Sequence, residues 1–259
     1  MILGIIQARM SSVRLPGKVL KTIQGKPSLL LQLERLFACQ TVDKWLVATS
    51  TDTSDDVITS CCATHHVACY RGSLHDVLDR YYAAACQENA QDNDVIVRIT
   101  ADCPLSDPEV IDACVHYFLT HAADYTSNCI TPTFPDGLDV EVFNFATLKR
   151  AAQQAKLPSE REHVTPYMMN HPELFKLAAF NQSQDLSYLR WTVDYEEDFE
   201  LVSRIYDALY PLNQHFRMHD ILTYLNRNPA LRQLNSKYQR NEGMKKSLLQ
   251  DKEYAHDSV

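Results

Sequence analysis

Two arginines, two serines, a glycine and a lysine fall between residues 9 and 18, in the run Gln7-Ala8-Arg9-Met10-Ser11-Ser12-Val13-Arg14-Leu15-Pro16-Gly17-Lys18. The run leaves an apolar stretch at 2–6, so a buried strand opens directly into a cationic, hydroxyl-rich loop. That combination suits a nucleoside triphosphate. Arg9, Arg14 and Lys18 would neutralise phosphate oxygens, while Ser11, Ser12 and the backbone at Gln7 and Ala8 supply directed hydrogen bonds. The spacing around Gly17-Lys18 is not that of a Walker A loop, nor is it GxGxxG. A solvated basic loop has the same composition, so the reading depends on what the chain brings to the same place.

Two carboxylates follow strand-like runs. Asp102 comes just after 94–99, in Arg98-Ile99-Thr100-Ala101-Asp102-Cys103-Pro104-Leu105, and Asp194 closes 187–193, ahead of Glu196, Glu197 and Asp198. A carboxylate at the end of a strand can hold Mg²⁺, a hard cation that commonly takes one or two carboxylates plus substrate phosphates. Asp102 can equally close its own turn, and Asp194 can cap the acidic helix start that follows. Nucleotide contacts are expected from Arg71 and Ser73, where a strand passes into a helix, and from Arg98 and Thr100. Thr49 to Asp52 is a further candidate for reading the base. For a second substrate the candidates are Asp139 and Glu141 in a Pro-Asp-Gly turn, Arg161 and His163 at a helix start, and Arg190. Arg161 would grip a carboxylate and His163 bind or shuttle a proton; a capping box of Ser159 with Glu162 is the alternative there.

These residues need a scaffold that gathers strand ends. Strand patterns at 2–8, 45–49, 66–70 and 94–99 alternate with helical patterns at 28–38, 54–63, 74–88 and 107–120. Such alternation predicts an α/β fold, a mostly parallel sheet with helices on both faces, whose ligands sit outside the carboxyl ends of the strands. Asp107-Pro108 supplies an N-cap followed by proline at the first helical position. Strands at 124–127, 138–143, 174–180 and 187–193 and helices at 144–156, 160–169, 196–208 and 217–227 follow. One domain over 1–235 is expected, with a polar tail at 236–259 that frays or packs peripherally.

At 259 residues, 45% hydrophobic and 22% charged, the chain is an ordinary globular one. A net charge of −8 argues against nucleic acid as a partner, so any anion site must be a local basic cluster. The apolar start is too short to span a membrane. Eight cysteines without a CxxC pair suit a reduced, cytoplasmic protein.

Taken together, the motifs resemble the cytidylyltransferase family that includes CMP-Kdo synthetase and acylneuraminate cytidylyltransferase, and within it the spore-coat polysaccharide (SpsF-type) branch. QARMSSVRLPGKVL resembles the family's nucleotide signature, TADCPL its (T/Q)GDxPL metal motif with Ala101 where glycine is usual, and VDYEEDFELV its late metal motif. YRGSLHDVLDRY, PDGLDVEVF and SEREHVTPY are similar to the branch in particular. The resemblance implies a Rossmann-like sheet of the nucleotide-diphospho-sugar transferase type and a homodimer, with part of 125–190 facing the acceptor and the partner. It also implies an activity: transfer of CMP from CTP to a sugar acid with release of pyrophosphate, in surface polysaccharide or glycan biosynthesis. Asp102 and Asp194 would hold Mg²⁺, and Arg9, Arg14, Lys18 and Asp102 would carry the catalysis. The rivals are use of another nucleotide or a sugar phosphate, a nucleotide-sugar glycosyltransferase and a nucleotide sensor. Neither Asp136-Gly137-Leu138-Asp139 nor Asp52-Thr53-Ser54-Asp55 is the D-x-D motif usual in glycosyltransferases.

Overall fold

A computed structural model describes residues 1–257. In chain order, β1 (Ile2–Gln7) runs through a loop and a short hairpin, β2 (Thr22–Ile23) and β3 (Lys26–Pro27), into α1 (Ser28–Leu36). β4 (Lys44–Ser50), α2 (Asp56–Thr64), β5 (Ala68–Gly72), α3 (Val77–Gln87), β6 (Val95–Thr100) and α4 (Pro108–His121) complete the regular half. The second half contains β7 (Tyr125–Ser127), β8 (Glu141–Asn144), α5 (Phe145–Gln154), α6 (Pro158–His163), α7 (Pro166–Asn170) and β9 (Leu177–Ala179). It closes with α8 (Glu196–Leu209), α9 (Met218–Arg227) and α10 (Glu242–Asp257).

The main sheet has the order β5-β4-β1-β6-β8-β7-β9. β8 is antiparallel to both neighbours, and the other pairings are parallel, so six of the seven strands share one direction. The expected mostly parallel α/β fold is what forms. The chain steps outward from β1 to β4 and β5, then returns to lay β6 on the other side of β1. That reversal opens a crevice beyond the carboxyl ends of β1 and β6, where Gln7 stands opposite Thr100. Apolar helix faces cover both sides of the sheet. Leu33, Leu36, Val115, Val202 and Ile221 belong to one core cluster, and Tyr81, Leu148 and Met168 to the other.

Three expectations need correction. The 187–193 segment forms no strand, only an isolated bridge between Asp136 and Arg190, because its amides serve two separate loops. Trp191 and Thr192 donate to the Asp136 carbonyl, and Val193 to that of Asp102 at 2.7 Å. The helix expected over 160–169 is split into α6 and α7, because Pro166 lacks an amide and disfavours helical geometry before it; Val164 turns there at φ 74°. The tail expected to fray or to pack peripherally is the helix α10, packed on α6, where the Asp251 carboxylate accepts from the Ser159 amide and hydroxyl at 2.9 and 2.5 Å. The 125–190 region is continuous with the main sheet through β7, β8 and β9.

Gly137 makes the crossing of the 131–137 loop over Trp191-Thr192 possible. Its φ is +108°, and a Cβ there would run into the Thr192 amide and the Trp191 carbonyl carbon. Gly137→Ala is therefore expected to lower stability by about 2 kcal/mol or more, read as a shifted urea midpoint, from backbone strain and overpacking combined.

Candidate active site

The loop after β1 is built around Met10. Its carbonyl accepts from the Ser12 and Gly17 amides, each at 2.9 Å, and its own amide donates to Asp55 Oδ1 at 2.7 Å. Asp55 is fully buried and also accepts from the Ser50 hydroxyl at 2.5 Å, so the loop base is tied to the end of β4. Gly17 turns the chain at φ +70°, a conformation that glycine adopts without strain. The turn places Lys18 inward and leaves Val13 at the exposed tip.

Lys18 Nζ lies 2.8 Å from Asp102 Oδ2 and 2.8 Å from Asp194 Oδ1. Burial opposes its charge, but the two carboxylates outweigh that and raise its pKa above the ordinary lysine value. The reciprocal effect holds Asp194 well below the usual carboxylate range: burial pushes it up, and Lys18 and Arg14 pull it further down. Asp102 is lowered against burial by Lys18 in the same way. Arg14 reaches Asp194 Oδ2 at 2.7 Å, its guanidinium 5.2 Å above the Tyr195 ring. Two carboxylates from separate loops thus converge on one cationic position, which suits a hard divalent ion that also takes phosphate oxygens.

Arg190 holds the second carboxylate from below. It is 8% exposed and bonds Asp136 at 2.8 Å, Asp194 at 3.2 Å and both oxygens of Asp198 at 3.0 Å. Asp198, fully buried, also caps α8 by accepting from the Asp194 and Tyr195 amides at 2.9 and 3.0 Å. The helix cap is therefore Asp198, and the Asp194 side chain stays directed at cations. Asp102 accepts no turn bond from its own backbone among the described residues; its carbonyl instead receives Val193.

The far side of the cleft is polar and internally balanced. Glu141 is paired with Arg98 and accepts from Tyr125 and Thr165 hydroxyls at 2.7 and 2.5 Å. Asp139 is paired with Arg240. Burial, with the charge of Asp139, pushes the Asp136 carboxyl up to about 7. His163 Nε2 lies 2.9 Å from the Ser247 hydroxyl of α10, and burial holds the imidazole below its ordinary value.

One cleft of about 640 Å³ gathers Gln7, Ala8, Arg9, Ser12, Arg14, Lys18, Arg98, Thr100 and Asp102 with Asp139, Glu141, His163, Arg190 and Asp194. Four expected residues lie elsewhere. Ser11 is exposed on the loop. Arg71 turns to the Ser50 and Asp52 carbonyls and to Asp56. Ser73 accepts from the Asp76 amide at 3.0 Å, bracing the turn before α3. Arg161 is spent on Asp76 at 2.5 Å and lines a neighbouring hollow. Thr49 and Ser50 are buried away from the cleft, Ser50 bonded to Asp55. Arg190 borders the cleft, but its guanidinium is occupied by three carboxylates.

Sequence reasoning missed Asp136, Arg80, Glu162 and Thr192, and also Asn241 to Met244, Ser247 and Gln250 of the α10 segment, all of which line the cleft. Asp136 in its Pro-Asp-Gly turn, Arg80 in YRGSLHDVLDRY and Glu162 in SEREHVTPY carried a local signal; the others did not.

The sequence model of a family described as Cytidylyltransferase matches residues 3–252. The chain is 33% identical over 235 residues to the spore coat polysaccharide biosynthesis protein SpsF of Bacillus subtilis, covering 88% of this chain and 95% of that one. It is 34% identical over 148 residues to the mitochondrial 3-deoxy-manno-octulosonate cytidylyltransferase of Arabidopsis thaliana, covering 53% of this chain and 47% of that one. Among solved structures, a cytidylyltransferase from Leptospira borgpetersenii superposes with a TM-score of 0.84 at 33% identity, covering 90% and 96% of the two chains.

Replacing Arg190 by Met leaves Asp136, Asp194 and Asp198 without their shared counter-ion, and is expected to cost about 3–5 kcal/mol in denaturant unfolding. His163 binds a proton less readily folded than unfolded. Its contribution to stability is therefore present above the ordinary histidine value and lost as pH falls through the lowered folded one. Unfolding between pH 7 and pH 5 should show a shallower loss of stability in His163→Gln than in wild type.

Proposed function

The chain belongs to the cytidylyltransferase family, and from that premise we propose that it transfers CMP from CTP to the hydroxyl of a sugar acid, releasing pyrophosphate. The observation that carries this reading is the convergence of Asp102, Asp194, Lys18 and Arg14 at the sheet's switch point. A triphosphate laid there brings anionic oxygens to cations that are otherwise shared among carboxylates.

In this reading the acceptor oxygen attacks the α-phosphorus in line and the bond to the β-phosphate oxygen breaks. The residues of the chain position and neutralise, as phosphoryl-type transfer requires. Arg9, Arg14 and Lys18 take the β- and γ-phosphate oxygens. Asp102 and Asp194 would hold Mg²⁺, which when bound supplies Lewis-acid stabilisation of the charge on the triphosphate. His163, kept neutral by burial, receives the acceptor's proton at Nε2, the atom now facing Ser247. Arg9 lines the cleft, its side chain 41% exposed and 3.6 Å from Glu162.

The sugar-acid class draws its support from the similarity to 3-deoxy-manno-octulosonate cytidylyltransferases, and a place in surface polysaccharide synthesis from the similarity to SpsF. The same reading makes the protein a cytoplasmic homodimer. No described helix is long and apolar enough to cross a membrane.

A thermal-shift titration with CTP, UTP, ATP and GTP, each with and without Mg²⁺, tests the proposal. A ligand at ~100-fold excess over its Kd adds about 2.7 kcal/mol of stability, so a metal-dependent shift favouring CTP is the expected result. No shift with any triphosphate would remove the basis of the reading. Asp102→Asn is expected to cut kcat for pyrophosphate release by on the order of 10²–10³ with modest loss of CTP binding.

A further inference from the structure

Lys18 stands where a divalent ion would have to stand. Its Nζ lies 2.8 Å from Asp102 Oδ2 and 2.8 Å from Asp194 Oδ1. The other oxygen of each carboxylate is turned elsewhere. Asp194 Oδ2 faces Arg14 at 2.7 Å and Arg190 at 3.2 Å, and Asp102 Oδ1 accepts from the Cys103 thiol at 3.5 Å. The two oxygens that converge are therefore the two that hold the ammonium. An ion touching both carboxylates needs the point at which Nζ sits.

Charge leads to the same result. Asp102 and Asp194 already meet Lys18, Arg14 and a share of Arg190, so the free site is neutralised from within. A divalent ion added beside that ammonium would be repelled at close range by Lys18 and Arg14. Ligands are also too few. Among the described residues no group of three or more His, Cys, Asp or Glu is placed to hold a metal ion. Two carboxylates suit Mg²⁺ when substrate phosphates complete its shell.

Lys18 is built to leave by its side chain alone. Its amide donates to the Leu15 carbonyl and its carbonyl accepts from the Lys21 amide, both at 3.3 Å, which fixes the backbone. The side chain is a flexible stem ending in a compact charge, 10% exposed and lining the cleft with Arg9 and Arg14. Phosphate oxygens laid among these cations would offer Nζ new acceptors without a change in the main chain. Arg190, held by three carboxylates, stays behind as their permanent counter-ion.

We propose that Lys18 is a resident cation that keeps a divalent ion out of the Asp102–Asp194 pair until a triphosphate draws the ammonium away. The proposal rests on the nucleotide-transfer reading above and adds an order: the metal enters with the triphosphate and not ahead of it. The ammonium passes from carboxylates to phosphate oxygens, and the carboxylates pass to the ion. No covalent bond changes and no proton moves.

The experiment measures binding of Mn²⁺, a divalent ion that also takes oxygen ligands, by loss of its free-ion paramagnetic resonance signal without nucleotide. Wild type, Lys18→Met and Lys21→Met are compared, with calorimetric titrations of CTP in Mg²⁺ alongside. Lys21 is paired with Glu196 and controls for loss of a nearby charge alone. Lys18→Met should bind one Mn²⁺ per chain about tenfold or more tightly than wild type, while Lys21→Met matches wild type. The same Lys18→Met should bind CTP about tenfold or more weakly, as expected for lost bonds to a charged group. A merely structural role would weaken both ligands. A folded Lys18→Met without the gain in Mn²⁺ affinity, or an equal gain in Lys21→Met, overturns the proposal alone. Should Lys18→Met fail to fold, melting curves of wild type decide. Mg²⁺ alone should leave the melting temperature unmoved and Mg²⁺ with CTP should raise it; an equal rise with Mg²⁺ alone overturns the proposal. A wild type that binds no triphosphate overturns the proposed function and the exchange together.

Discussion

Everything in this cleft depends on keeping carboxylates close together in a partly buried place. Asp102, Asp136, Asp194 and Asp198 come from three separate segments of the chain, and their mutual repulsion must be cancelled where water cannot do it. Arg190 cancels it from inside, bonding three of the four. Lys18 cancels it from the cleft side, bridging Asp102 and Asp194. The two cations differ in what surrounds them. Arg190 is fixed by a fork of bidentate bonds and by packing under Tyr238. Lys18 is a point charge on a flexible stem, able to give up its position when another cation takes it.

The parallel sheet supplies the place and the loops supply the charge. The reversal at β1 brings the ends of β1 and β6 together, and a single backbone bond, Val193 to the Asp102 carbonyl, sets the second carboxylate loop against the first. Asp102 and Asp194, far apart in the chain, thus share a geometry fixed by a main-chain hydrogen bond, while their side chains remain directed at cations. The expense of that arrangement appears in the neighbourhood. Asp136 is pushed toward neutrality, and Gly137 is needed so that two backbones can pass.

Local features of the chain were readable where the cause was local. The apolar run into Arg9-Lys18 is a strand and loop, and Asp107-Pro108 caps α4, with Asp107 accepting from the Glu109 amide. The strand-end positions of Asp102 and Asp194 brought both to the cleft. What failed was governed by distant partners. Arg161 and Arg71 look free in sequence, yet their carboxylate partners, Asp76 and Asp56, lie on other elements. The 187–193 run has the composition of a strand, but its amides are claimed by two loops. The α10 segment shows no broad apolar stripe and reads as a tail. Its attachment is polar, through Ser247, Asp251 and Glu242, and no hydrophobic periodicity announces that kind of docking.

The attachment of α10 has a bearing on how the molecule comes into being. Every strand of the sheet is synthesised before residue 180, whereas one wall of the cleft is contributed by residues 241–250. During translation the core can therefore form around an incomplete pocket, with Glu162, His163 and Asp139 still lacking Ser247 and Arg240. The fold and the pocket mature at different moments. A nascent chain already resistant to proteolysis in its sheet would still present an open, three-sided trough until the final helix docks.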